Sequence, residues 1–366
     1  MLPWVVLGVA VSKRTRELRA SCEHWGFPAA RVVEWSDWLR RPETLEDALA
    51  APCVFKLEPP GDDPWVHHHL MALGAARLGK PAPAVLQHGE LGGGRSWFEG
   101  FRIVMQRLNS LLACRPEVLA VNAPADIMAM TDKLDCQRRL QARGLTIPHL
   151  FGPVSSHEEL LGMMDHHGLD RAFVKARFGS SAAGVVAFRR TRRGQQQATT
   201  TAHLVEVAGQ SRLFNVKRVS RYERPAEIAK VVDLIAEQGS YVEAWLSKPR
   251  AGHGHFDLRV LAIQGRAAHR VARVSEHTMT NLHLDARRVE PAHLLSEVDL
   301  QQVEAAVAQA AAAFAGSSVI GFAVVPHRLG PHVLEANAFG DLLPGLQWQG
   351  QDAHAALVSA QAASQG

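Results

Sequence analysis

Short apolar runs alternate with amphipathic stretches over the first hundred residues. Residues 4–10, Arg31–Glu34 and Cys53–Leu57 read as strands, while 15–25 and 45–50 carry helical spacing. The third strand closes at Pro59-Pro60-Gly61, a turn signal. Alternation of this kind predicts a small parallel α/β lobe. Helical pattern then dominates from 64 to about 112, interrupted only at Gly92-Gly93-Gly94.

A second region starts near Pro124. Residues 133–143 are helical and stop at Gly144, with Pro148 beyond. Strands at 172–175 and 185–188 flank a Gly/Ser loop, and the next strong helix is 225–238, with Pro225 in its first turn. No element is assigned over 196–222. Further strands are expected at 241–246, 258–263 and 267–274, the last two joined by Gln264-Gly265. Alanine-rich 300–315 is a helix by propensity, and strands Val319–Val325 and 332–336 follow. The tail after Gln347 is polar and expected as one frayed helix. The fold class is α/β with mixed sheets and no internal repeat.

Composition narrows the class. At 366 residues the chain can form two or three lobes, and 47% hydrophobic with 21% charged residues excludes disordered and fibrous classes. A net charge of +4 is far from the dense basic stripe of a nucleic-acid binder. Cys22, Cys53, Cys114 and Cys136 lie tens of residues apart without CxxC spacing, which suggests reduced thiols. The basic residues at the N-terminus follow the apolar run, the wrong order for a secretory signal, and no apolar run is long enough to span a bilayer. The expectation is a soluble cytoplasmic protein with no membrane partner.

Only 8 of the 40 basic residues are lysine. Lys133 follows Asp132 at a helix start, and Lys175 leaves a buried strand before the small-residue loop 179–184. A lysine so placed meets a phosphate as a compact point charge. Gly179, Ser180, Ser181 and Gly184 leave backbone N–H groups able to close on phosphate oxygens. Taken alone, such a loop is more often an ordinary hairpin turn. It has no Walker A spacing and lies between two strands, not between strand and helix. Glu335 and Asn337, two apart at a strand end, project to one side as hard oxygen donors suited to Mg²⁺; alternatively they form a solvated turn. Asp257 and Arg259 share a strand face, and Arg273 and the loop 280–283 follow. Cations there would neutralise charge on a transferred phosphoryl group, although a lone Asp-x-Arg is an ordinary surface pair. His67-His68-His69 do not face one another on a helix, and the basic turn 189–193 reads as a solvated hairpin tip.

The order of these fragments carries more than any one of them. Asp132-Lys133 precedes a helix, then come Val174-Lys175 with its loop, Val242-Glu243-x-x-Leu246, Asp257-Leu258-Arg259-Val260, Arg273-x-Ser275 with Thr280-Asn281-Leu282-His283, and Leu334-Glu335-Ala336-Asn337 with Pro344-Gly345. This set resembles the ATP-grasp superfamily, and most of all its ribosomal-protein glutamate ligase and peptide-modifying branch. The likeness covers about 126–345. It implies an N-terminal pre-grasp domain over 1–123, a two-subdomain ATP-grasp domain over 124–350 and a polar tail over 351–366.

By that resemblance Lys133 and Lys175 contact the phosphates of ATP, and Gly179, Ser180, Ser181 and Gly184 belong to a mobile flap. Glu243, Ala244 and Leu246 form the hinge that reads adenine. Arg259, Arg273 and Asn281 face the γ-phosphate and an acyl phosphate, and Glu335 and Asn337 hold Mg²⁺. The implied activity joins a small-molecule or peptide carboxylate to an amine, with ADP and phosphate as products. Two departures stand out. Ala323 occupies the place of an aspartate metal ligand, with no acidic residue between Glu304 and Glu335 and only Asp341 nearby to compensate. Lys248-Pro249-Arg250 also lacks the acidic residue that often contacts ribose. A nucleotide-binding protein without catalysis and a small-molecule kinase are the competing classes.

Overall fold

Trp4–Gly8 (β1) and Cys53–Leu57 (β3) are buried along their whole length, the pattern of interior strands covered on both faces. They pair in parallel, with Arg31–Glu34 (β2) outside β1 and Val118–Ala120 (β5) outside β3. Helices Lys13–His24 (α1), Trp35–Arg40 (α2), Glu43–Ala48 (α3), Pro64–Arg77 (α4) and Gly94–Ala113 (α5) complete this lobe. The computed structural model describes residues 1–179, 183–277, 279–280, 286–340 and 343–363.

The helical pattern expected from 64 to Gly92 ends at Arg77. Pro81 and Pro83 keep the chain out of helix, and Glu90–Leu91 (β4) leaves the lobe to pair with the second sheet. α4 and α5 cross where both carry glycine. A Cβ on Gly74 or Gly100 would lie 1.8 Å from a backbone oxygen of the other helix, so only glycine permits this approach.

The second sheet has the order β4-β10-β9-β8-β7-β11-β6. It comprises Leu150–Val154 (β6), Arg171–Ala176 (β7), Val185–Arg190 (β8), Gln196–Val207 (β9), Gln210–Tyr222 (β10) and Ser240–Ala244 (β11), paired antiparallel. β9 and β10, the longest strands described, fill the stretch with no expected element. Their threonines, glutamines and arginines are sound strand formers on a half-solvated sheet, but they blur the apolar alternation. His157–His166 (α8) and Pro225–Ala236 (α9) cover one face, with Ile228, Val231, Val232 and Ile235 packed on Phe188, Leu213 and Val242.

The third sheet is antiparallel, in the order β15-β14-β13-β16-β17 with β12 beside β13. Its strands are Arg250–Ala251 (β12), Gly254–Ile263 (β13), Arg266–Ser275 (β14), Arg287–Val289 (β15), Val319–Val325 (β16) and His332–Asn337 (β17). Pro124–Thr131 (α6), Lys133–Ala142 (α7) and Glu297–Ala311 (α10) supply Ile127, Cys136, Leu140, Val303 and Val307 to its core. The expected α/β class, with a parallel N-terminal lobe and antiparallel sheets beyond it, is what the chain forms.

The tail corrects the expectation of a frayed segment. Ala353–Ala363 (α11) is docked, burying Ala356, Leu357 and Val358 against Leu18 and Cys22 of α1 and Leu261 of β13. Its composition of alanine and glutamine hides an apolar stripe, yet Ala353, Ala356 and Leu357 share one face at helical spacing, with Val358 buried beside it.

Candidate active site

Asp132 caps α7, accepting from the N–H groups of Leu134 and Asp135 at 3.2 and 3.3 Å. The same carboxylate receives Arg177 Nε at 3.1 Å, and Lys133 N–H donates to the Arg177 carbonyl at 3.0 Å. The start of α7 is thereby tied to the end of β7. This brings Lys133 and Lys175 to one place. The lock depends on Arg177, which sequence reasoning missed although it lies two residues beyond Lys175.

Lys133 Nζ is 2.9 Å from Glu335 Oε2, and Arg259 Nη1 is 3.3 Å from Oε1. Asn337 Nδ2 donates to Gly321 O at 3.1 Å and lies 3.5 Å from Glu335 Oε1, so both oxygen-bearing side chains do share a side of β17. The pairing of β16 with β17 slips between Ala323 and Val324, and Gln137 of α7 donates to the Leu334 carbonyl at this irregularity. Bulges of this kind re-aim a side chain; here the side chain is Glu335. Desolvation pushes its carboxyl up, but the charges of Lys133 and Arg259 outweigh that and hold it well below the ordinary glutamate range.

Lys175 forms an ion pair with Glu243, which is 2% exposed. Glu243 Oε2 is buried and has no hydrogen-bond partner among the described residues. Of the backbone expected to form the hinge, the Ala244 N–H is taken by the His149 carbonyl at 2.8 Å, and Leu246 lies just beyond the end of β11. Phe173 and Trp245 pack with ring centroids 4.9 Å apart beside it.

A second hub was not read from the sequence. Asp257, 1% exposed, accepts from Arg273 Nε at 2.7 Å and from Thr280 Oγ1 at 2.5 Å, and Lys248 Nζ lies at 3.1 Å. Lys248 also donates to Thr280 Oγ1 at 2.6 Å. Desolvation acts against the Asp257 charge, yet Arg273 and Lys248 keep its carboxyl below the usual aspartate range. Desolvation likewise lowers Lys248, partly offset by Asp257. Asp257 and Arg259 lie two apart on β13, and the charge of Lys175 acts on both Lys248 and Glu335, so the two hubs adjoin.

At the base of the small-residue loop, Gly184 has φ +72° and a Cβ there would meet the Ala176 Cβ at 2.8 Å. Gly179 lies at the other end, and Phe178 stacks on Phe98 of α5 at 4.3 Å. Ser180, Ser181, Asn281 and Asp341 lie outside the described residues. The His67–His69 run sits on α4 with His67 bonded to Gly61 O and Trp97 and His69 stacked on Trp65.

No protein-family model matches the chain, and no curated protein does. Solved structures do. The ATP-grasp ligase PsnB, complexed with a phosphomimetic variant of its minimal precursor, Mg and ADP, superposes with a TM-score of 0.55 at 16% identity, over 100% of this chain and 99% of that one. The chain has the ATP-grasp fold. The D-alanine–D-alanine ligase of Bacillus anthracis gives 0.50 at 14% identity, covering 100% and 92% of the two chains. The N5-carboxyaminoimidazole ribonucleotide synthetase of Thermotoga maritima gives 0.52 at 12%, covering 92% and 68%.

In this ATP-grasp fold the donor set fits Mg²⁺ arriving with a nucleotide. Glu335 supplies a carboxylate, and the bond from Asn337 Nδ2 to Gly321 O leaves Oδ1 for a cation. Among the described residues no group of three or more His, Cys, Asp or Glu is gathered to hold a metal. Two protein oxygens suit an ion that completes its octahedron with water and phosphate oxygens.

Proposed function

We propose that this protein is an ATP- and Mg²⁺-dependent ligase that joins a carboxylate to an amine through an acyl phosphate, acting on a peptide or a small amino-acid-like substrate. The observation that carries the reading is the convergence of five cations from separate elements. Lys133, Lys175, Lys248, Arg259 and Arg273 gather around the carboxylates of Glu243, Asp257 and Glu335. Such an excess of fixed positive charge suits a triphosphate and the phosphoryl group it transfers.

In this reading Lys133 and Lys175 hold the nucleotide phosphates, and the buried, unpartnered Glu243 Oε2 accepts from the exocyclic amine of adenine. Ala244 and Leu246 border the base, and the loop bounded by Gly179 and Gly184, with Ser180 and Ser181, closes over the phosphates. Glu335 and Asn337 hold Mg²⁺, which when bound neutralises phosphate charge. Arg259 and Arg273, with Asn281, orient the γ-phosphate. A carboxylate oxygen of the substrate attacks the γ-phosphorus, the bridging P–O bond breaks and ADP departs. An amine nitrogen then attacks the acyl carbon, forming C–N as the C–O bond to phosphate breaks; phosphate leaves and the ammonium proton passes to solvent. The protein contributes position and electrostatics.

Support for the substrate class comes from fold neighbours of similar length, one bound to a peptide precursor and one a ligase of D-alanine. Free cysteines and the absence, among the described residues, of a helix long and apolar enough to cross a membrane accord with a cytoplasmic protein. A nucleotide-binding protein without catalysis is the second reading, and Ala323 beside Glu335 is the observation that favours it. Incubation with MgATP, ¹⁸O-carboxylate-labelled amino acids and short peptides, and hydroxylamine as the amine separates the two. The ligase yields hydroxamate, ADP and phosphate carrying one ¹⁸O. AMP and pyrophosphate would overturn the mechanism, and a stable phosphorylated product indifferent to amine would make the protein a kinase.

A further inference from the structure

We propose that this site binds a single divalent cation with its nucleotide, because the strand row beside Glu335 offers a methyl group and a guanidinium and no second carboxylate. The proposal rests on the ligase reading, because the cation arrives with ATP.

One row of residues crosses the third sheet. Arg259 of β13 is paired in register with Ala323 of β16, and Ala323 with Glu335 of β17. Directly opposed residues of antiparallel strands project to the same face, with Cβ atoms about 5 Å apart. The Ala323 methyl, 2% exposed, therefore lies between Arg259 and Glu335 in the row, and their side chains meet beyond it at 3.3 Å. Two ions about 4 Å apart share the phosphate oxygens of the nucleotide, and each also needs protein oxygens to hold it in place. The row supplies one carboxylate, Glu335, already faced by Lys133 Nζ at 2.9 Å and by Arg259 Nη1 at 3.3 Å.

The remaining donor, Asn337 Oδ1, is neutral. Glu335 and Asn337 together complete one octahedron with phosphate oxygens and water. A second ion in the row would meet a methyl group and a fixed guanidinium. Arg259, whose planar fork matches two phosphoryl oxygens at once and never loses its charge, stands at the other end of the row.

The test uses the full chain in equilibrium dialysis with Mn²⁺ and AMP-PNP, followed by electron paramagnetic resonance. Bound Mn²⁺ and bound AMP-PNP are both counted. The parent is expected to retain one magnetically isolated Mn²⁺ per bound AMP-PNP, with affinity lowered roughly tenfold in Glu335→Gln. Ala323→Asp is expected to gain a second Mn²⁺, spin-coupled to the first. If the buried carboxylate prevents folding, Ala323→Asn offers a neutral oxygen at the same place, and the parent count still decides. Two Mn²⁺ in the parent overturn the proposal, as does a folded Ala323→Asp that still binds one. Absence of bound AMP-PNP is a separate result, which overturns the ligase reading and the proposal with it.

Discussion

Arg273 and Asp257 are register partners on β14 and β13, and the guanidinium Nε donates to the buried carboxylate at 2.7 Å. The same carboxylate pairs with Lys248. One aspartate thus holds two cations drawn from different segments. Removing its charge takes from both cations the buried carboxylate they share, and breaking a buried pair in this way costs about 3–5 kcal/mol. Asp257→Asn is expected to lower the urea midpoint accordingly, and the double variant with Lys248→Met to recover part of the loss. An unchanged midpoint in Asp257→Asn would show that the network is solvated.

Arg259 bonds Glu335 and faces the transferred phosphoryl group in the proposed mechanism. Arg259→Ala is expected to reduce kcat by about 10²–10³ while changing the nucleotide KM little. Arg259→Lys keeps the charge without the planar fork and is expected to recover only part of the rate. Steady-state kinetics of ADP release checks this; a loss confined to KM would place Arg259 in ground-state binding alone.

His354 of α11 is 6% exposed, and burial together with the Lys56 charge brings its imidazole down to about 4 from 6.5. Between those values the unfolded chain carries a proton that the folded chain does not. Stability is therefore fully present above pH 6.5 and falls as pH drops toward 4, by roughly 3 kcal/mol. Glu58 loses its contribution in a lower window, from 4.5 to about 2. Urea unfolding of the parent and of His354→Gln between pH 7 and 4 is expected to converge as pH falls; parallel curves would contradict the assignment.

α11 is the other untested support. Leu357 is 2% exposed in the cluster shared with α1 and β13. Leu357→Ala is expected to destabilise the whole chain by about 2–5 kcal/mol in a single cooperative transition. A local loss of helix with an unshifted main transition would mean that α11 is an appendage.

Much of this was legible where chemistry is local. Arg31–Glu34, Cys53–Leu57 and Val319–Val325 form over the bounds their apolar runs announce. Lys133, Lys175 and Glu335 could be singled out because each sits at or near a strand or helix end beside a glycine, a cap or an oxygen donor, and Arg259 because it shares a strand face with Asp257 within the ordered set of motifs. What escaped is non-local. Asp257 reads as a surface Asp-x-Arg pair until Lys248, Arg273 and Thr280 arrive from nine, 16 and 23 residues away. β9 and β10 escaped because threonine and arginine on a half-wet sheet hide a period of two. The docking of α11 escaped because its apolar face is mostly alanine.

The most direct measurement is calorimetric titration of MgATP into the parent protein and into Lys175→Ala. Saturable binding in the parent, weakened roughly 10- to 100-fold in the variant, is the expected result, since a charge-assisted phosphate contact is worth about 1.5–3 kcal/mol. No heat of binding in the folded parent at millimolar nucleotide would contradict the ligase function at its root.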